Sequence, residues 1–390
     1  MKRAYIQILI FFWGFHFALP LLYFLFWGYV NLYSNYISYE GAIYNTFVIL
    51  ISTILIWKYC KTENSIPTKR FRYAKSFFLI SVGVYIIKYI LGGGYEGAME
   101  GTTHGSLISF LSLFFSPEIS FLFLLLNSNV KHPVFWILLY VGLFTVTGSR
   151  SAVLGVLFLF LYSPAFGIST TSLLKKIKMV FIALAIVSPF LFIYATNQRG
   201  KGDIDSSVVR DVIVGRISFV ELSSIPFESR KAGELDKVLF SQKYSTENQL
   251  KQSFNSISPI DPFESDVAPN QYFRAVFLGA NEVSVLDRYL SLNLTFPSYS
   301  VIKTNRLVGI TISILFLVSL FIFWRKYRRN QFVFMVILFS LYDLLYFFDW
   351  VMICQRAFTI CLTLFAIRTY EMSLNGLLIK KKRDVKKVHV

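Results

Sequence analysis

Residues 135–162 read FWILLYVGLFTVTGSRSAVLGVLFLFLY. Two apolar runs of membrane-spanning character meet at TGSR, and one permanent cation, Arg150, stands at the junction with no acid beside it. Runs of this kind recur through the chain. An apolar stretch of about 18 or more residues, at about 1.5 Å per residue, crosses about 30 Å of hydrocarbon. The 390 residues are 55% hydrophobic, with a mean hydropathy of +0.56. The expected fold is therefore all-α: a polytopic membrane helix bundle. Barrel strands would alternate apolar and polar residues instead.

Ten spans fit the pattern, near 4–28, 41–58, 76–92, 105–127, 133–147, 151–167, 179–196, 306–324, 331–348 and 351–369. The first follows Lys2 and Arg3, is too long for a signal-peptide core and lacks a small-residue cleavage site, so it is expected to remain as a span. The net charge of +17 is distributed by side. With the N-terminus inside, the inner segments collect Lys2, Arg3, Lys69, Arg70, Arg72, Lys175, Lys176, Arg325, Lys326 and the run Lys380–Arg383. The short outer segments near 29–40 and 93–104 hold Glu40, Glu96 and Glu100 and no Lys or Arg. That is the retention of basic residues on the cytoplasmic side. It predicts both termini in the cytoplasm and leaves no role for nucleic acid.

Four regions result: spans one to seven over 1–196, a large periplasmic loop over 197–305, spans eight to ten over 306–370, and a basic cytoplasmic tail over 371–390. The loop is polar with nearly balanced charge, yet it keeps anchors such as Phe219, Phe227, Phe254 and Phe296. A loop of this length inside a compact protein usually carries function. No internal repeat or low-complexity segment occurs. Cys60, Cys354 and Cys361 have neither metal-ligand spacing nor a disulfide pattern. No GxxxxGK[ST], HExxH or His/Cys cluster is present, so no cofactor and no metal are expected.

Charges at apolar positions carry the functional reading. Arg150 falls at the outer turn between spans five and six. It either snorkels to the headgroups or binds an anion, helped by the tight turn at Gly148–Ser149 and the start of the next helix at Ser151. Residues 206–222, SSVVRDVIVGRISFVEL, fit an amphipathic helix with Arg216 inside its apolar stripe. Arg210, Asp211 and Glu221 fall on the polar side. Either Arg216 meets an anion or a bend at Gly215 turns it to water. In the last hairpin, Asp343 and Arg356 each lie about 10 Å below the outer surface. They form an ion pair locking the hairpin, or Arg356 faces substrate with Asp343 orienting it. Glu118 follows Pro117 in mid-span, where a kink would expose its carboxylate. His104, in GTTHG, is a solvated loop residue or a general base. Lys88 is expected to snorkel, and Arg199, Arg274, Arg288 and Arg306 add positive field outside.

The layout, the segment Thr147–Ser151 and the pair Gly215–Arg216 together resemble the Wzy-type O-antigen and capsular oligosaccharide repeat-unit polymerases of Gram-negative bacteria, and the related O-antigen ligases. The resemblance covers the whole chain in layout and these two motifs in sequence. Repeated Arg-rich motifs found in some polymerases are absent, as is a histidine between 197 and 305 that ligases tend to have. The resemblance implies glycosyl transfer at the periplasmic face of the inner membrane. The donor would be a glycan on undecaprenyl pyrophosphate, and the acceptor another lipid-linked repeat unit. It implies membrane lipids and a chain-length regulator as partners. Arg150, Arg216, Arg210 and Arg356 would bind the pyrophosphate leaving group, since guanidinium stays charged and grips phosphate bidentately. Glu221, Asp287 or His104 would serve as the base. A lipid-linked glycan flippase is the rival reading, although transporters typically show internal repeats and short loops.

Overall fold

The computed structural model describes residues 2–27, 39–60, 71–91, 107–127, 132–146, 220, 223–231, 246–257, 295–327, 330–346 and 350–388, with scattered positions in 156–182. The described elements are helical throughout. They are α1 (Lys2–Trp13), a π-helical turn (Gly14–Ala18), α2 (Leu19–Trp27), α3 (Glu40–Tyr59), α4 (Ala74–Leu91), α5 (Leu107–Phe114), α6 (Pro117–Asn127) and α7 (Pro133–Val146). A 3-10 turn at Ser163–Phe166 follows, then α8 (Ile225–Lys231), α9 (Thr246–Ile257), α10 (Phe296–Lys303), α11 (Arg306–Lys326), α12 (Gln331–Tyr346) and α13 (Trp350–Val388).

Among the described residues, 6 helical stretches are long and apolar enough to cross a membrane: Lys2–Phe26, Glu40–Tyr59, Ala74–Leu91, Leu107–Leu126, Arg306–Lys326 and Arg356–Gly376. Two shorter apolar helices, Pro133–Phe144 and Val333–Tyr342, occupy the places of the expected fifth and ninth spans. Expected spans six and seven lie mostly outside the described residues. The chain is thus a multi-pass helical bundle. Its polar backbone is hydrogen-bonded within the helices, as hydrocarbon demands.

Helices in lipid gain little from the hydrophobic effect between themselves, so close packing and interhelical hydrogen bonds hold them. Aromatic side chains supply the volume here. Tyr5, Phe12, Phe77, Phe78, Phe121, Tyr140 and Trp324 are fully buried. Phe121 stacks on Tyr140 with ring centroids 4.0 Å apart, and Trp324 stacks on Phe334 at 5.2 Å. Polar tips then find carbonyls on neighbouring helices. Tyr5 donates to the Leu317 carbonyl at 2.8 Å, and Trp324 Nε1 donates to the Phe334 carbonyl at 3.1 Å.

End contacts set the helix directions. Lys2 Nζ donates to the Cys60 carbonyl at 2.9 Å, so the start of α1 meets the end of α3 and the two run antiparallel. Arg306 meets Glu40 at 3.0 Å, so α11 and α3 start side by side and run parallel. The start of α4 meets α13 at Tyr370 and Glu371, through the Arg72 amide donating to Glu371 Oε1 at 3.3 Å and the Tyr73–Tyr370 rings.

Three departures from the sequence expectation stand out. The first span is not one regular helix, because a π-helical turn at Gly14–Ala18 interrupts it. The fourth, where a kink at Pro117 was expected, is fully broken into two helices, α5 and α6, separated at Phe115–Ser116. Past the expected end of the last span near 369 the helix itself does not stop: α13 continues as one helix of 39 residues to Val388, about 58 Å at 1.5 Å per residue. From the large loop, α9 packs against α13. It carries an exposed Glu247–Lys251 pair at 2.7 Å, and the Lys251 ammonium holds the Glu247 carboxyl below its usual range.

Candidate functional site

The break between α5 and α6 follows from one residue. Pro117 has no N–H, so the Leu113 carbonyl loses the donor that an unbroken helix would supply four residues on. Within a membrane an orphaned carbonyl costs several kcal/mol, about as much as any buried unsatisfied amide. A neighbouring helix provides the donor: Thr363 Oγ1 on α13 donates to the Leu113 carbonyl at 2.9 Å. Ser116 restarts the helix. Its Oγ accepts from the Ile119 amide at 3.4 Å in the position of an N-cap, and its carbonyl accepts from Ser120 Oγ at 2.8 Å.

Glu118 lies in the first turn of α6 and meets Arg356 on α13. Arg356 NH1 donates to Glu118 Oε2 at 2.9 Å and NH2 donates to Oε1 at 2.6 Å. This is a bidentate guanidinium–carboxylate fork. The two side chains are 20% and 25% exposed for Arg356 and Glu118, so the pair is neither sealed nor bathed in bulk solvent. Arg356 and Thr363 are seven positions apart on α13, about two turns, and so share a face. That one face of α13 contacts α5 and α6 on either side of the break. The buried phenol of Tyr140 on α7 lies in the field of both Glu118 and Arg356. Nearby, Lys88 on α4 does not stand alone in the apolar phase: its Nζ donates to Ser112 Oγ on α5 at 3.3 Å.

Glu118, a carboxylate that the sequence had not paired with Arg356, thus meets it. The sequence singled out Asp343 because it sits opposite Arg356 across the last hairpin. Asp343 lies on α12, and its side chain is outside the described residues. Arg150, Arg210, Arg216, Glu221, Asp287 and His104 also lie outside the described residues.

A second polar cluster joins the large loop to the spans. The Gly41 amide donates to Ser224 Oγ at 3.1 Å. Asn45 Nδ2 donates to the Gly41 carbonyl at 2.8 Å and to Ser298 Oγ at 3.2 Å, while Asn45 Oδ1 accepts from Thr295 Oγ1 at 2.8 Å. Ser298 Oγ donates to the Ser223 carbonyl at 3.3 Å. Ser300 and Ser313 hydroxyls are 2.9 Å apart, with Tyr44 OH at 3.3 Å from Ser300 Oγ. Residues just after Glu221 and just before Arg306 are therefore pinned together on α3 and α11. Arg306, expected to add open positive field, has Glu40 as its counter-ion and lies 5.4 Å over the Phe227 ring.

A third polar contact was not foreseen from sequence. His16, in the π-helical turn, is 2% exposed, and its Nε2 shares a short hydrogen bond with the Tyr342 hydroxyl on α12. Phe12 and Phe15 rings flank it at 5.0 and 5.1 Å. A histidine inside an apolar run was the available signal, since ionisable residues in spans are rare and usually partnered. Among the described residues, no three His, Cys, Asp or Glu side chains are grouped to hold a metal ion.

No family model matches the chain, and comparisons with curated proteins and with solved structures find no match.

Proposed function

We propose that the protein is a membrane glycosyltransferase of the repeat-unit polymerase type. It would join undecaprenyl-pyrophosphate-linked oligosaccharides at the periplasmic face of a bacterial inner membrane, in surface polysaccharide synthesis. On this reading ten spans place both termini in the cytoplasm and residues 197–305 in the periplasm. Arg150, from TGSRS, and Arg216, from the GR pair, act on the leaving pyrophosphate together with Arg210 and Arg356. Fixed guanidinium groups match the charge that develops as the glycosidic bond to phosphate breaks. One of Glu221, Asp287 or His104 takes the proton of the acceptor hydroxyl.

The observation that carries the reading is the stitching of two segments of the large loop, Ser223–Ser224 and Thr295–Ser300, onto α3 and α11. A loop bound into the spans at two separated segments is suited to a membrane-surface site rather than to a tether. Gly215–Arg216 precede the first of those anchors by only a few residues. The intramembrane Glu118–Arg356 pair would also suit a lipid-linked glycan transporter, which keeps that second reading in play.

Deletion of the gene followed by electrophoresis of surface polysaccharide separates the two. Loss of a polymerase leaves one repeat unit on the lipid core, whereas loss of a flippase or a ligase leaves none. Long chains with a normal length distribution would refute the proposal. In complemented cells, Arg150→Ala and Arg216→Ala should each stop elongation at unchanged membrane abundance. Full elongation in either variant removes that residue from the site.

A further inference from the structure

We propose that Glu118 is an exchangeable counter-ion of Arg356, holding the guanidinium in a fork that a lipid-borne phosphate takes over on binding. The inference rests on the reading above, that the chain handles a lipid pyrophosphate, and it adds a residue and a mechanism to that reading.

Three observations support exchange over a permanent structural pair. The fork is bidentate through both terminal nitrogens, and two phosphate oxygens satisfy the same donors in the same plane. The carboxylate is therefore a geometric stand-in for the ligand. Next, the pair retains 20% and 25% exposure, which gives a ligand a way to reach it. An ion pair drawn out of water adds little net stability, because desolvation offsets its attraction. Finally, the break in the fourth span does not depend on Glu118. Thr363 satisfies the Leu113 carbonyl and Ser116 caps α6, so Glu118 can swing away while the local backbone stays satisfied.

Exchange has a thermodynamic signature. While Glu118 occupies Arg356, only the open fraction of the protein can bind, and apparent affinity falls by that fraction. Removing the competing charge should raise affinity, the opposite of what losing a structural contact does.

The test uses the full chain in lipid nanodiscs, with calorimetric titration of farnesyl pyrophosphate. If the closed pair holds about nine-tenths of the population, Glu118→Gln binds about tenfold tighter than wild type. Arg356→Gln weakens binding, and Glu118→Gln added to Arg356→Gln then changes nothing. Glu118→Asp keeps the charge and provides a folded reference. Equal or weaker binding by Glu118→Gln, with a lowered thermal midpoint, overturns the proposal and leaves a structural pair. Inorganic pyrophosphate showing the same tightening also overturns it, because the ligand need not then be lipid-borne. Tightening for phosphatidic acid supports exchange by a bilayer phosphate and identifies the source as ordinary headgroups. The outcome is separable from the polymerase reading. Tightened binding together with intact polysaccharide after gene deletion would retain the exchange site and reject the polymerase.

Discussion

Gly41→Ala should detach the large loop from the bundle. A β-carbon on Gly41 would lie 2.0 Å from the Ser223 carbonyl oxygen, 2.1 Å from its carbon and 2.4 Å from the Ser224 nitrogen. Carbon contacts are comfortable only near 3.5–4.0 Å, and all three neighbours are backbone, so no rotamer change relieves the overlap. The Ser223–Ser224 segment must retreat by more than about 1 Å. That movement lengthens the Gly41 amide bond to Ser224 Oγ, now 3.1 Å, and the Ser298 bond to the Ser223 carbonyl, now 3.3 Å. Overpacking costs about 1–3 kcal/mol, and each lost hydrogen bond about 1 kcal/mol. The expected destabilisation is about 3–5 kcal/mol. Thermal unfolding in detergent measures it, and limited proteolysis reports release of the loop. Gly83→Ala is the matched control, because nothing lies within 4 Å of its added β-carbon. If Gly41→Ala unfolds and is cleaved like Gly83→Ala, the loop is not seated on α3 as described.

Thr363→Val removes the donor that completes the break. It should cost about 1–2 kcal/mol in thermal stability, while Thr363→Ser, which keeps the hydroxyl, stays near wild type; equal loss in both would discount the Leu113 carbonyl bond. Glu40→Gln should cost under about 1 kcal/mol, since its pair with Arg306 is exposed. That small effect should vanish in high salt, and a large, salt-independent loss would contradict the exposure of the pair.

The bundle was legible in the sequence because hydrocarbon imposes two conditions that composition records directly. A span must be continuously apolar, and its backbone must be hydrogen-bonded within itself. Both operate locally along the chain, and the described helices follow the apolar runs. Partner assignments are not local. Nothing near Arg356 in sequence announces its fork with Glu118, 238 positions away. Pro117 announces a broken helix through its missing N–H, but nothing near it announces Thr363, whose hydroxyl repairs the break. Asn45 stands in an apolar run with nothing near it in sequence to announce Thr295 and Ser298, which close on it. Arg150 and Arg216 remain sequence arguments, since they lie outside the described residues.

The end of α13 shows why hydropathy and helicity part company. The span was expected to stop near residue 369 because charges begin there. Hydropathy reports where a side chain would rather be, and charged residues mark the edge of the hydrocarbon. The helix itself depends on the backbone and on propensity, and Glu, Met, Leu, Lys and Arg are all good helix formers. Residues 371–388 contain many of them, with no proline and one glycine, Gly376, and α13 runs on to Val388. Its length of about 58 Å is nearly twice the hydrocarbon thickness. Membrane boundary and helix boundary are thus separate quantities in this chain, and only the first is written in its hydropathy. The same separation operates in reverse at Pro117, where hydropathy runs on unbroken from α5 into α6 and the helix does not.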